Sequence, residues 1–134
     1  MREIKFRAWH KEKKEIVNVE EIDFMNKVIN YIDNDYENNR QEIIGAYFED
    51  IELMQYTGLK DKNGKEIYEG DIVKLRANHG IGVVKYYDEW GAFVVEYIKL
   101  KKIAVLGMNY YEEDIEVIGN IYENPKLIRE WNND

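Results

Sequence analysis

The stretch Leu53–Val73 constrains the fold of this chain more than any other part of the sequence. Two groups of turn-forming residues, Asp61–Lys65 and Glu69–Asp71, interrupt its short apolar segments. The Asn-Gly pair in the first group is a strong hairpin signal, because tight turns need positive φ angles that these two residue types tolerate best. The residues with predicted structural roles in the two turns are Asn63, Gly64, Gly70 and Asp71.

The sequence of residues 57–134 is typical of a small domain built from short strands. Five segments rich in β-branched and aromatic residues alternate with turn residues, at the spacing typical of a small barrel or sandwich. The predicted strands are Asp71–Arg76, Gly82–Tyr87, Ala92–Tyr97, Ile103–Leu106 and Ile115–Tyr122. Among small β folds, an SH3-like barrel resembles this pattern most closely. A closing helical turn is predicted at Lys126–Trp131, capped by Asn124.

Residues 1–56 predict a second β-rich part with a minor helical contribution, either separate from the barrel or continuous with it. Ile4–Trp9 alternates apolar and polar residues, as a half-buried strand does. Asp33–Gln41 is polar and is predicted to be an exposed, mobile loop. Apolar residues in Glu42–Leu53 are compatible with a helix, and Ile51–Tyr56 is predicted to be a strand. The chain as a whole is therefore predicted to be mainly β.

The residue types needed for catalysis are scarce in this sequence. The chain has no Cys, no Ser and a single Thr, Thr57, so nucleophilic catalysis of the triad type has almost no residue to use. His10 and His79 lie in predicted turns, the second at Ala77–Gly80, without partners at zinc-binding spacing. Asp71 is predicted to accept a backbone hydrogen bond at the start of a strand. We therefore predict a protein that is not an enzyme and has no metal or other cofactor.

Two ligand-binding loops can be tested against the central stretch, and neither fits. Between Gly58 and Gly64 lie five residues where a Walker A loop has four, and Glu66 stands where that loop needs Ser or Thr. A calcium loop with Gly64 in sixth place would start at Leu59 and end at Gly70, neither of which carries a carboxylate. The stretch is explained by turn geometry alone.

Aromatic residues provide the one positive functional signal, with 11 Tyr, 4 Phe and 3 Trp in 134 residues. Aromatic platforms beside cations bind single-stranded nucleic acid or peptides on small barrels. Exposed Tyr and Trp also anchor protein interfaces, including those between identical chains. Ordinary packing of strands accounts for the same residues, and the sequence leaves these alternatives open. The predicted binding surface consists of Tyr86, Tyr87, Trp90, Lys74, Arg76 and Lys85.

The net charge of −8 argues against general binding to phosphates. Only residues 71–110 are locally basic, which leaves a nucleic-acid-binding barrel as the alternative function. The acidic run Glu112–Glu116 weakly favours a third hypothesis, in which the protein occupies the DNA site of a host protein. No apolar run approaches the ~20 residues that span a bilayer, so we predict a cytoplasmic protein with no membrane partner.

Three blocks of the sequence together resemble the YopX family: Ile4–Trp9, Leu53–Val73 and Ile115–Pro125. These are small proteins encoded by bacteriophages and prophages of Gram-positive hosts, and the resemblance spans essentially the whole chain. Where family members commonly have Asp after the Trp, this chain has His10. The resemblance implies a mostly β structure with an SH3-like barrel in the later half, and a homo-oligomer. It carries no established activity and no catalytic residues. The aromatic content, the acidic charge and the lack of nucleophile or metal chemistry lead us to predict a phage or prophage accessory protein that works by binding host or phage proteins, through a β-rich oligomer.

Overall fold

The computed structural model describes residues 2–35, 37–76, 80–99 and 102–132. Within these residues the protein is mainly β, with eleven antiparallel strands, two short 3-10 turns and one α-helix. This confirms the prediction of a mainly β protein. The chain divides into two compact units. We call Ile4–Gln55 the N-unit, and Tyr56–Asp134 together with the first three residues the C-unit.

The N-unit is a meander of four strands whose fifth strand returns beside the first, in the order β4-β3-β2-β1-β5. Its core lies on one face of this sheet and is formed by Ala8, Val17, Ile29, Tyr31, Ala46 and Ile51. The strands are β1 (Phe6–His10), β2 (Glu15–Asp23), β3 (Val28–Asp35), β4 (Arg40–Tyr47) and the first half of β5 (Ile51–Lys60).

The hairpin turns of the N-unit use residues other than glycine in the left-handed backbone region. Lys14, Lys27 and Asn39 have φ angles of 55°, 56° and 51°, and each lies between two successive strands. Asn tolerates this region, whereas Lys has a Cβ that opposes it. Strand pairing on both sides of each turn holds these residues in place.

The helix considered for Glu42–Leu53 is wrong, because no residue of this segment is α-helical. Residues up to Tyr47 form β4, Phe48–Asp50 form a 3-10 turn, and the strand predicted from Ile51 is present as β5. Ile44 and Ala46 face the core while Ile43 and Tyr47 are exposed, which is the alternation of a strand. The segment is too short for the spacing of its apolar residues to distinguish a helix from a strand. Its conformation is determined by continuous pairing with β3.

The predicted mobile loop at Asp33–Gln41 is shorter than expected. Its first residues belong to β3 and its last to β4, so that a tight hairpin replaces the long connection. Residues 37–39 form the described part of the turn, and Tyr36 lies outside the described residues.

The C-unit repeats the topology of the N-unit, with strand order β10-β9-β8-β7-β11. Four consecutive strands again form a meander, and the last strand returns beside the first. Apolar residues cover both faces of this sheet, and α1 packs on one of them through Leu127 and Ile128. Its further elements are β6 (Glu66–Tyr68), β7 (Asp71–Leu75), β8 (Ile81–Tyr87), β9 (Ala92–Tyr97), β10 (Ile103–Val105), β11 (Ile115–Asn120) and α1 (Pro125–Asn132).

The predicted strands of this half match the observed ones to within a few residues, and the predicted closing helix is α1. The capping role predicted for Asn124 differs in detail. Its side-chain oxygen accepts a hydrogen bond from the amide of Asn120 at 3.1 Å, while its backbone oxygen accepts one from Leu127. Most of the predicted turn Ala77–Gly80, including His79, lies outside the described residues.

Candidate functional site

Five of the six residues of the predicted binding surface lie on strands β7 and β8 and on the turn that follows β8, and the sixth, Arg76, directly follows β7. Adjacent residues of a strand point to opposite faces of the sheet, so Tyr86 and Tyr87 are on different faces. The register places Lys74 opposite Ile81, and therefore on the same face as Lys85 and Tyr87. The structure thus brings together only part of the predicted surface.

The aromatic residues gather at the tip of the β8–β9 hairpin. Trp90 packs edge-on against Tyr87 with ring centroids 4.8 Å apart, and 52% of Trp90 is exposed. The Tyr87 hydroxyl donates to the Glu89 carboxylate at 3.3 Å, and the negative charge of Glu89 raises the pKa of Tyr87. On the other face Tyr86, 46% exposed, packs edge-on against Phe93 at 5.2 Å. The tip therefore presents aromatic surface on both faces.

Each cation of the predicted surface has an acidic neighbour. Lys85 forms an ion pair with Glu96 at 3.0 Å, and Arg76 forms one with Asp114 at 3.1 Å. The third cation, Lys74, lies directly opposite Glu116 in the pairing of β7 with β11. Two of these cations, together with Lys62, line an open groove of about 310 Å³ that also contains three carboxylates. The groove is close to neutral, so it does not select a strongly charged ligand.

A buried carboxylate, Asp61, organises the first turn of the central stretch. One of its oxygens accepts hydrogen bonds from the amides of Asn63 and Lys65, and the other accepts one from Val117 in β11, all at 2.9 Å. Burial alone would raise the pKa of Asp61, but these three amides outweigh it and hold that pKa below its ordinary value of 3.8. Asp61 therefore joins the turn to a strand far away in sequence.

The predicted turn residues occupy the positions where the chain reverses. Gly64 has a φ of 82° and Gly70 one of 85°, whereas Asn63 does not take a positive φ. The amide of Gly70 donates to Val84 at 2.8 Å. The buried Asp71 carboxylate accepts a hydrogen bond from the amide of Tyr68 at 2.8 Å, at the start of β7. Both fully buried carboxylates near the central stretch thus bind backbone amides.

Comparison with known proteins places these features in a family. A family model described as YopX protein matches residues 5–129. The chain belongs to the YopX family. No protein with a curated description matches it.

Two solved structures show how this YopX-family chain relates to other proteins. The crystal structure of protein EF1440 from Enterococcus faecalis is 32% identical, with a TM-score of 0.64, and the match covers 96% of this chain and 99% of that one. The structure of yopX from Bacillus subtilis is 23% identical with a TM-score of 0.57, covering 92% of this chain and 96% of that one. The second likeness shows a common fold.

Sequence reasoning did not find a cluster of polar residues in the N-unit of this YopX-family chain. His10 and Tyr31 are both buried, with ring centroids 6.0 Å apart. The ammonium of Lys13 lies 5.3 Å from the centroid of the Tyr31 ring and 3.2 Å from the Asp33 carboxylate. His10 accepts a hydrogen bond from the Lys13 amide, which closes the β1–β2 turn. The pairing of β2 with β3 brings these residues together, and no local sequence signal reveals it.

Further chemical roles are limited within the residues that the structure describes. None of the His, Asp and Glu side chains in those residues form a group of three or more that could hold a metal ion. No helix in the described part of this YopX-family chain has the length and hydropathy needed to cross a membrane. The arrangement offers aromatic surface and strand edges for binding, and its buried carboxylates serve the fold.

Proposed function

We propose that this YopX-family protein is an accessory protein of a bacteriophage or prophage that acts by binding other proteins and copies of itself, without catalysis, in the host cytoplasm. The family resemblance supports the phage role and the oligomer, and the absence of Cys fits a reducing compartment. The observation that carries the binding role is the exposed aromatic tip formed by Tyr86, Tyr87 and Trp90. Solvent-exposed Trp and Tyr supply much of the energy of protein interfaces.

We further propose that the C-unit is an SH3-like barrel. Its strand order supports this assignment, since four strands form a meander and β11 returns to pair with β7. Such a barrel would hold the β8–β9 hairpin on a rigid base, with the aromatic tip projecting from it. Binding sites on small β domains commonly use loops positioned in this way.

Affinity capture with a matched control tests the binding role. The tagged protein is used to capture partners from host cells that carry the phage or prophage, with washes of increasing salt. Trp90→Ala and Tyr87→Ala should each reduce specific capture by about tenfold, because each removes a central aromatic contact. Phe24→Ala removes a more exposed aromatic residue from a turn of the N-unit and should leave capture unchanged. Equal capture by all four proteins would contradict the proposal.

The alternative function, a nucleic-acid-binding barrel in phage DNA metabolism, is less well supported by the geometry. Binding to phosphates requires cations that are free to replace counterions, and Lys74, Arg76 and Lys85 each have an acidic neighbour. In a mobility-shift experiment at low salt, we expect no shift with single- or double-stranded DNA or RNA. A shift that is lost when Lys85 and Arg76 are neutralised would favour this alternative instead.

The hypothesis of DNA mimicry gains little from the acidic run at Glu112–Glu116. Asp114 is paired with Arg76, and Glu116 forms an ion pair with Lys62 at 2.7 Å. A strip of free carboxylates, as a DNA mimic requires, is therefore interrupted at two positions. Capture of a host DNA-binding protein that DNA displaces would support the mimic over the aromatic-tip site.

A further inference from the structure

The outer edge of β4 stands out among the strand edges of this protein. It extends over the eight residues Arg40–Tyr47 and pairs with β3 without a register shift. Strand β4 is the last strand on its side of the sheet, so alternate backbone N–H and C=O groups point away from β3. The strand contains no proline. An edge of this length without interruption is a template for another strand.

The other sheet margins in the described residues are protected. Strand β10, which occupies the same topological place in the C-unit, has three residues, and so does β6. Strand β11 has a bulge between Val117 and Gly119, and the amide of Val117 donates to Asp61. Short strands, bulges and covered amides are the ordinary means of preventing edge pairing. The β4 edge has none of them, which indicates that a partner strand covers it.

The side chains of β4 separate into a charged start and an apolar end. Arg40 and Glu42 carry the charges, and the segment from Ile43 to Tyr47 carries none. Ile43 and Tyr47 point away from the core and are 76% and 61% exposed. An exposed, uncharged segment with high β-propensity would promote aggregation if it stayed uncovered. The apolar end is therefore the part that a partner strand must cover.

We infer that β4 pairs antiparallel with β4 of a second copy of this chain, with the two Gly45 residues opposite each other. The inference rests on the homo-oligomer in the proposed function and names its interface. In this register Ile43 lies opposite Tyr47 on the solvent face, and Ile44 lies opposite Ala46 on the core face. The uncharged ends thus pair with each other, and one two-fold contact covers both edges at once.

The composition of β4 favours a second copy as the occupant, because its uncharged end is complementary to itself. In the Gly45-centred register the five uncharged residues Ile43–Tyr47 face one another, and the charged Arg40 and Glu42 lie beyond the end of the partner strand. Shifting the centre to Ile44 places Glu42 opposite Ala46. Shifting it to Ala46 leaves Ile43 beyond the partner strand and therefore uncovered. Coverage of the apolar segment thus selects the Gly45-centred register.

A disulfide trap tests the register directly, because the chain has no cysteine. Gly45→Cys should give covalent dimers in mild oxidant, since opposite residues of an antiparallel pair have Cα atoms about 4.5–5.5 Å apart, within disulfide range. The new Cβ would lie 3.2 Å from the side-chain oxygen of Asn30, which can rotate away. Met25→Cys, 90% exposed in the β2–β3 turn, is the control and should remain monomeric on a denaturing gel.

A second variant measures the interface without relying on a covalent bond. Ile43→Lys should raise the dissociation constant of the oligomer at least about tenfold, because the two-fold contact loses its apolar pair twice. The fold should survive, since Ile43 is exposed within the single chain, and circular dichroism checks this. Met25→Lys is the control for added charge. Light scattering over a dilution series gives the dissociation constants.

The outcomes separate this inference from the proposed function. An oligomeric parent protein together with a Gly45→Cys variant that does not cross-link and an Ile43→Lys variant that still assembles would overturn the β4 interface and leave the oligomer standing. A parent protein that stays monomeric at every concentration would overturn both. Cross-linking of Gly45→Cys alone, with Met25→Cys monomeric, supports the interface and its register.

Discussion

Asp61 is the single side chain that fastens the central turn to the last strand of the C-unit. An Asn at this position keeps one oxygen acceptor for Asn63 and Lys65, but its NH₂ group faces the amide of Val117, so that two donors meet. We therefore expect Asp61→Asn to lower the free energy of unfolding by about 1–3 kcal/mol. Chemical denaturation measures this, and Asp88→Asn in an exposed turn should change it little.

The same carboxylate predicts how stability responds to acid. Because the pKa of Asp61 is lower in the folded protein than its ordinary value of 3.8, the folded state binds this proton less readily than the unfolded chain does. Its contribution is complete above that ordinary value and is lost as the pH falls through the folded pKa. Denaturation midpoints should therefore fall less steeply with acid in Asp61→Asn than in the parent protein.

The buried Tyr110 should make the stability of the protein depend on pH in the alkaline range. It is buried, and burial together with a hydrogen bond to the Tyr97 hydroxyl raises the pKa of Tyr110 far above its ordinary value of 10.0. The folded state keeps this proton while the unfolded chain loses it, so stability should fall as the pH rises above that value. Tyr110→Phe should reduce this alkaline loss, as measured by denaturation midpoints on either side of pH 10. The same slope in both proteins would contradict the prediction.

The tight turns at Gly70 and Gly64 should be sensitive to substitution by a β-branched residue. Gly70 is buried at a φ of 85°, and its amide and carbonyl both form backbone hydrogen bonds, to Val84 and Ile121. Gly70→Val and Gly64→Val should each lower the melting temperature by about 5 °C or more, because a β-branched residue is strained at positive φ. Lys65→Ala, beside Gly64, should melt close to the parent protein. Equal melting temperatures for all four proteins would show that the turns tolerate strain.

In the hairpin turns of the N-unit, substitution by glycine should raise the stability of the protein. Lys14 and Lys27 are held at positive φ, where a side chain opposes the backbone conformation. Lys14→Gly and Lys27→Gly should each stabilise the protein by about 0.5 kcal/mol, since relief of strain exceeds the entropy cost of glycine. Lys14→Ala and Lys27→Ala keep the strain and serve as controls. Thermal denaturation distinguishes the two pairs of variants.

Elements defined by local chemistry are readable from the sequence, and those defined by pairing are not. The chain reversals at Gly64 and Gly70 can be predicted from the turn residues, because a tight turn depends only on the backbone angles of neighbouring residues. Strand β4 was missed because its conformation depends on pairing with β3. The role of Asp61 was missed as well, since one of its three donors, Val117, is 56 residues away in the sequence.

The predicted binding surface was also only partly correct, because its geometry depends on how the strands pair. Composition groups Tyr86 with Tyr87, yet neighbouring residues of a predicted strand must point to opposite faces. That signal was present in the sequence. The acidic neighbours of Lys85 and Arg76 were not visible in it, because Glu96 and Asp114 approach only when β9 and the segment before β11 are in place.

At the scale of the whole molecule, two units with the same strand order follow one another along the chain. Each is a four-strand meander whose fifth strand pairs with its first. No repeat is visible in the sequence, because the topology depends on the order and pairing of the strands. The likeness is therefore one of architecture, and the two units differ most at their outer strands, β4 and β10.

The return of β11 to β7 has a consequence for synthesis. A ribosome delivers the chain from its N-terminus, and domains generally begin to fold in that order. Strands β1 to β4 and the first half of β5 have been made once Gln55 is added, whereas the C-unit lacks its closing strand until Asn120. We expect the N-unit to acquire structure first, and the C-unit to close only once β11 has been made. Until then its apolar faces must be kept from other nascent chains.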